Sequence, residues 1–243
     1  MIGGASIATA RRVGQQLRHD PRTVMLLLVV PALLLALLRF VFDSERSFAA
    51  TAPALLGVFP LTLKFLVTSI TTLRERTSGT LERLMTMPIG KLELLVGYAI
   101  AFGVVALVQV LIAVLTSVAL GLDVGGSIGW LLLVAAADAL MGVALGLLAS
   151  AFARTEFQAI QFMPVVVLPQ LLLCGLFTPR SEMARVLRWA SDVMPLSYAV
   201  EALQRVAIDD GVSAIYARDL VVVLACAVAG LALAAATLRR QTP

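Results

Sequence analysis

Two formal charges fall inside long apolar runs of the sequence, Lys64 and Asp138. A charge at the centre of a span costs about 3 kcal/mol on insertion scales, so it faces a bundle interior or a cavity. There it can line a transport path or handle ions. Lys64 and Asp138 could equally neutralise each other, or Lys64 could reach toward the nearer interface. By helix rise they lie ~9 Å apart in depth. Gln109, Gln161 and Gln170, with Gln158, are weaker polar candidates, because amides in spans often just bond neighbouring helices. Other chemistry is scarce. Cys174 and Cys226 both lie in apolar runs, and the single histidine, His19, stands beside Asp20-Pro21. That leaves no disulfide framework, metal-ligand spacing or histidine triad. G-x-x-x-x-G-K-[ST], H-E-x-x-H and G-x-S-x-G are absent, so no P-loop cradles a nucleotide here. Gly121-Leu122-Asp123-Val124-Gly125-Gly126 reads as a turn between spans. A membrane-embedded enzyme would need clustered acids at the membrane face, and Asp209-Asp210 has no companion motif.

The elements that must position these groups are membrane helices. The chain has 243 residues, 60% hydrophobic and 14% charged, with mean hydropathy +0.97. Soluble domains are nearer about 45–50% apolar and about 25% charged. Six continuous apolar runs predict an all-α, polytopic fold in one transmembrane domain covering residues 1–243, with spans over 23–42, 51–73, 94–122, 127–152, 158–177 and 220–238. The first run is long for a signal peptide and is read as a retained span. With the N-terminus cytoplasmic, the inside segments hold 11 basic and five acidic residues, and the outside segments seven and nine. The basic excess places both termini inside. Net charge +4 therefore reads as basic cytoplasmic loops, not as nucleic-acid binding.

Three segments are not spans. Residues 5–19 have Ile7, Ala10, Gly14 and Leu17 at helical spacing, with Arg11, Arg12 and Arg18 on other faces. This predicts an amphipathic helix at the cytoplasmic interface, with Asp20 and Pro21 capping and starting the first span. Residues 79–87 predict a short helix with Leu81, Leu84 and Met85 on one stripe, Gly79 as cap and Pro88 beyond. So short a helix is unstable alone in water. The membrane interface, another part of the chain or a partner's groove must cover its stripe. Residues 181–207 predict two outer-face helices, one with Met183, Val186, Leu187 and Ala190 aligned, the other with Ala199, Val200, Leu203, Val206 and Ala207. Trp189 and Tyr198 suit headgroup depth. Pro31, Pro53, Pro60, Pro164 and Pro169 can kink their spans. Gly142 and Gly146 form a small-x-x-x-small face for close helix packing, with no indication of the helix it meets.

The loop after the second span, RERTSGTLERLMTMPIGKLELLVG (74–97), resembles the corresponding loop of type-2 ABC exporter permeases, the daunorubicin-resistance and nodulation-factor export group. It carries an E-x-x-x-G-T-L-E-R-L core from Glu75 to Leu84, then Pro88, Glu93 and Gly97. MPLSYAVEALQRV (194–206) is similar to that family's proline-then-acidic motif, through Pro195, Tyr198 and Glu201. QFMPVVVLPQLLLCGLFTPRSEM (161–183) resembles its proline-rich fifth span, with Cys174-Gly175 where the family often has Ser-Gly.

The resemblance implies that residues 79–87 are a coupling helix docking on a separate P-loop ATPase. Arg74, Glu75, Arg76, Gly79, Thr80, Glu82, Arg83 and Pro88 would belong to the contact, with Leu81, Leu84 and Met85 as its apolar part. It implies a second permease subunit, identical or related, meeting the first and fifth spans along the substrate path. It implies ATP and Mg on the ATPase, with no cofactor bound by this chain. The expected function is ATP-driven export of an amphipathic drug-like or lipid-like substrate across a bacterial plasma membrane. Two alternatives stand beside it: a secondary transporter working through Lys64 and Asp138, and a non-transporting subunit of an ABC complex.

Overall fold

The computed structural model describes residues 3–42, 44–80, 84, 90–208 and 214–237. Nine α-helices lie among them, with no strand. They are α1 (Gly4–His19), α2 (Pro21–Phe42), α3 (Glu45–Thr77), α4 (Lys91–Ala119), α5 (Ile128–Phe152), α6 (Glu156–Leu173), α7 (Arg185–Val193), α8 (Pro195–Ile208) and α9 (Ala214–Thr237). A single 3-10 turn, Arg180–Glu182, precedes α7. Six helices, α2 to α6 and α9, are long and apolar enough to cross a membrane.

Local chemistry sets the ends. Asp20 accepts from the Thr23 amide at 3.2 Å and the Thr23 hydroxyl at 2.6 Å, so α2 starts with a capping aspartate and Pro21 in its first turn, as expected. The Thr23 bonds hold the Asp20 carboxyl below the usual carboxylate range. Glu93 accepts from the Gly90 amide at 3.1 Å at the start of α4. α6 stops at Leu173, short of the expected residue 177, because Gly175 turns the chain at φ +96°. That left-handed backbone suits glycine and cannot continue a helix.

The long helices alternate in direction, so α3 and α5 run parallel. Their seam is a close one, backbone against backbone. A Cβ on Gly142 would lie 2.6 Å from the Leu61 carbonyl oxygen, and one on Gly146 would lie 2.6 Å from that of Phe65. The small face of α5 therefore meets α3. α8 is buried through Leu196, Ala199, Val200 and Leu203 and packs on Gly57 of α3, where a Cβ would lie 3.1 Å from Leu203 Cδ1. Its expected apolar stripe is thus sunk into the bundle. At its far end the Ala207 and Val206 carbonyls accept from Gly125 and Gly126 at 2.9 and 3.1 Å.

The stripe expected on α1 is displaced. Ile7 is 62% exposed, and the buried residues are Ser6, Thr9, Val13 and Leu17. The reason is Gly97 of α4, where a Cβ would lie 2.5 Å from Thr9 Cβ and 2.8 Å from the Ser6 carbonyl. A backbone-to-backbone approach this close selects the small side of α1, not its most apolar side.

Candidate functional site

The last turn of α3 carries Arg74, Glu75 and Arg76, and each is tied to a different helix. Glu75 is buried and forms a bidentate pair with Arg12 of α1, at 3.2 and 2.8 Å. Arg12 Nη2 also donates to the Tyr98 hydroxyl of α4 at 2.9 Å, and that hydroxyl donates to Glu75. The Arg12 guanidinium lies 5.8 Å from the Tyr98 ring centre. With its amide oriented to suit both neighbours, Gln16 donates to Glu75 at 2.9 Å and accepts from Arg12 at 3.2 Å. Three helices thus meet on one carboxylate, through bonds spanning 63 and 23 residues of sequence. Arg12 was expected off the apolar stripe of α1; it turns inward because Glu75 and Tyr98 offer it charge and a ring. Tyr98 escaped the sequence reading. Its one signal is a hydroxylated aromatic beside Gly97, early in an otherwise apolar span.

Arg74 pairs with Glu156 at the start of α6, at 2.8 Å on both oxygens, in an exposed position. Arg76 donates to the Ser150 carbonyl of α5. Gly79 turns the chain at φ +72° just after α3. Thr80 bonds Ser78 at 2.9 Å. Leu84 packs, half-buried, against the cluster that holds Val13, Leu95 and Tyr98. At Leu84, then, the chain itself supplies the cover that the sequence left open. Leu81, Glu82, Arg83, Met85 and Pro88 lie outside the described residues. A cleft of about 410 Å3 opens beside this cluster, between α1 and the C-terminal half of α3, with Val13, Leu17, Asp20, Val67, Ile70 and Arg74 among its walls.

The polar groups expected along a path are not brought together. Lys64, Gln109 and Asp138 are fully buried, and Lys64 Nζ, both amide atoms of Gln109 and both carboxylate oxygens of Asp138 have no hydrogen-bond partner. The α3–α5 register explains why Lys64 and Asp138 do not pair. Leu61 matches Gly142, so Lys64 stands level with Leu145, seven residues and ~10 Å below Asp138. Gln170 has a structural task, accepting from the Leu196 amide at 3.3 Å and donating to Val166 at 3.0 Å. Gln161 sits on the exposed side of α6.

At the opposite end of the bundle, Pro195 starts α8. The Tyr198 hydroxyl donates to the Asp192 carbonyl at 2.7 Å, and Arg180 stacks 5.2 Å from its ring. Arg180 joins Glu201 at 2.6 Å and also pairs with Asp192, while Arg205 holds the other oxygen of Glu201 at 2.9 Å. Tyr198 and Glu201 therefore share one staple that ties α7 to α8, the helix that Pro195 starts.

Among the described residues no group of His, Cys, Asp and Glu could hold a metal. Comparison with known proteins shows what scaffold this is. Residues 5–207 match the family described as ABC-2 type transporter. The chain belongs to that family. The ABC-2 chain is 26% identical over 178 residues to the probable multidrug ABC transporter permease YbhS of Escherichia coli (strain K12), covering 72% of this chain and 47% of that protein. It is 29% identical over 146 residues to the inner membrane transport permease YhhJ of the same strain, covering 59% and 39%. It is 25% identical over 154 residues to ABC transporter G family member 20 of Dictyostelium discoideum, covering 63% and 21%. The ABC-2 chain thus spans less than half the length of each of these relatives. Family and helices together make it a multi-pass membrane protein.

Proposed function

We propose that this ABC-2 chain is the permease subunit of an ATP-driven exporter. A separate P-loop ATPase binds and hydrolyses ATP with Mg, and this chain binds no cofactor. The observation that carries the reading is the Glu75 node. It fastens α1, α3 and α4 together directly before the residue 79–88 segment, so a push on that segment is delivered to three helices at once. Arg74, Arg76, Gly79, Thr80, Leu81, Glu82, Arg83, Met85 and Pro88 belong to the ATPase contact. Glu75 and Leu84 support it from within, since both are engaged with the chain's own α1 and α4.

A second permease subunit, identical or related, covers α2 and α6. Their least buried faces carry Met25, Val29, Leu33 and Phe40 on α2, and Phe157 and Val165 on α6, each more than half exposed. The substrate path runs along that seam. Its apolar walls suit an amphipathic drug-like or lipid-like molecule, in keeping with the name of the multidrug permease relative. ATP drives the switch between inward and outward access through its differential affinity for the two states. The membrane is a bacterial plasma membrane, with the α1 face and both termini in the cytoplasm, where the basic excess lies.

The test is co-purification in detergent with a P-loop ATPase encoded beside this chain. Near-equal recovery is expected with wild type. Met85→Asp with Leu81→Asp should release the ATPase, because a charge forced into an apolar groove costs several kcal/mol. An unchanged size-exclusion profile of the permease would show that the fold survives. If no neighbouring ATPase binds the wild type, and transport follows a proton gradient instead, the reading fails.

A further inference from the structure

α7 is the least covered of the nine described helices. Ser191 is its only buried residue, and Val186, Trp189 and Val193 are 73%, 61% and 83% exposed. Those three residues stand at i, i+3 and i+7, on one face of the helix. Arg185 stacks on Trp189, with its guanidinium carbon 5.2 Å from the ring centre. Three neighbouring arginines are matched: Arg180 with Asp192 and Glu201, Arg205 with Glu201, and Arg218 with Asp219. Arg185 and Arg188, both exposed, have no carboxylate partner among the described residues.

We infer that α7 is a lipid-docking helix that selects anionic phospholipid headgroups. Its apolar stripe enters the acyl boundary, Trp189 lies at headgroup depth, and Arg185 and Arg188 hold the headgroup phosphate. A second copy of the chain is the weaker occupant. A two-fold contact places the same patch on both sides, which would set these unpaired arginines against each other. A neutral bilayer surface would cover the stripe but leave both guanidiniums without a counter-charge. Anionic lipid satisfies both halves of the surface. The inference stands on the helix, its stripe and its unpaired charges, independent of the ATPase reading.

The experiment uses Trp130→Phe as background, leaving Trp189 as the only tryptophan. The full chain is reconstituted in vesicles carrying brominated phosphatidylglycerol or brominated phosphatidylcholine at equal mole fraction, with the same composition in both leaflets. Trp189 quenching should be stronger with phosphatidylglycerol, reflecting about fivefold enrichment per arginine. In Arg185→Gln with Arg188→Gln, quenching by phosphatidylglycerol should fall to the phosphatidylcholine level. Quenching by phosphatidylcholine should stay constant, which shows that α7 still reaches the bilayer. Equal quenching of the Trp130→Phe protein by both lipids would overturn headgroup selection. Absence of quenching by either, with Val193→Cys forming a disulfide between two copies, would overturn the lipid reading in favour of a subunit contact.

Discussion

The α3 helix meets polar chemistry in two regions and handles it in opposite ways. At its last turn, Glu75 is buried but held by Arg12, Tyr98 and Gln16. Half-way along, at the seam with α5, Lys64 and Asp138 are buried more completely and bonded to nothing. The end is held by directional bonds between distant parts of the chain. The seam is held by backbone contact over Gly142 and Gly146, which compels the polar side chains nearby to accept whatever surroundings the close approach leaves. Bonds can re-form after a small movement, whereas a glycine contact is either closed or lost. The end cluster thus suits transmission of a push, and the seam suits a rigid unit that moves as one.

The largest expected effect comes from breaking the seam. In Gly142→Val the new Cβ would lie 2.6 Å from the Leu61 carbonyl oxygen and 2.9 Å from Leu61 Cα. Both are backbone atoms, so α3 and α5 must separate. A cost of about 3 kcal/mol or more is expected, seen as loss of the monodisperse peak and a lower melting temperature in detergent. A variant that melts like wild type would show that the seam is looser than the glycine contacts require.

Breaking the end cluster should cost less. Glu75→Gln leaves Arg12 without its counter-charge. A fully buried pair loses 3–5 kcal/mol when one partner goes, but the Arg12 side chain is 28% exposed, so about 2 kcal/mol is expected. Arg12→Gln should lose a similar amount, and the double variant little more than either, because the two residues share one interaction. Strict additivity in that cycle would mean that the pair contributes nothing to holding α1 on α3.

The same cycle on the seam sharpens the contrast. Lys64→Met and Asp138→Asn should be additive within about 0.5 kcal/mol, as for residues more than about 7–10 Å apart. Each single change should be neutral or stabilising, since an apolar or uncharged group replaces a buried charge with no partner. Coupling above that level would mean that the two charges meet, contrary to the α3–α5 register.

These outcomes bear on how far the sequence could be read. The spans were legible because length and apolarity dictate them, and so was the Asp20-Pro21 start of α2, which is local chemistry. The small face of Gly142 and Gly146 was legible as a face, but its partner was not, since nothing in α5 names Leu61 and Phe65. Register in turn decided the Lys64–Asp138 question, which depth along isolated helices had left open. On α1, apolar spacing pointed to Ile7, and the fold chose Ser6 and Thr9, because the deciding residue was Gly97 on another helix. The Glu75 node was half visible: the carboxylate stood in a recognisable motif, while Arg12 lay 63 residues away, off the apolar stripe of α1. At the other end, α8 and its stripe were visible, and the burial of that stripe depended on Gly57 in α3.

The smallest effect on stability should come from Arg74, and it separates holding from docking. Its pair with Glu156 joins α3 to α6 at 2.8 Å, but the two side chains are 64% and 48% exposed. Exposed pairs contribute under about 1 kcal/mol and fade with salt. Arg74→Gln should therefore leave the melting temperature of the permease nearly unchanged, and high salt should erase the remaining difference. Its effect on ATPase co-purification is a separate quantity. If Arg74 belongs to the ATPase contact, recovery of the ATPase should fall while the permease stays as stable as wild type. In Glu75→Gln both readouts should fall together, because there the docking segment loses its own support. Should Arg74→Gln lower stability as much as Glu75→Gln, the division between a buried node that holds the helices and an exposed rim that meets a partner would not survive.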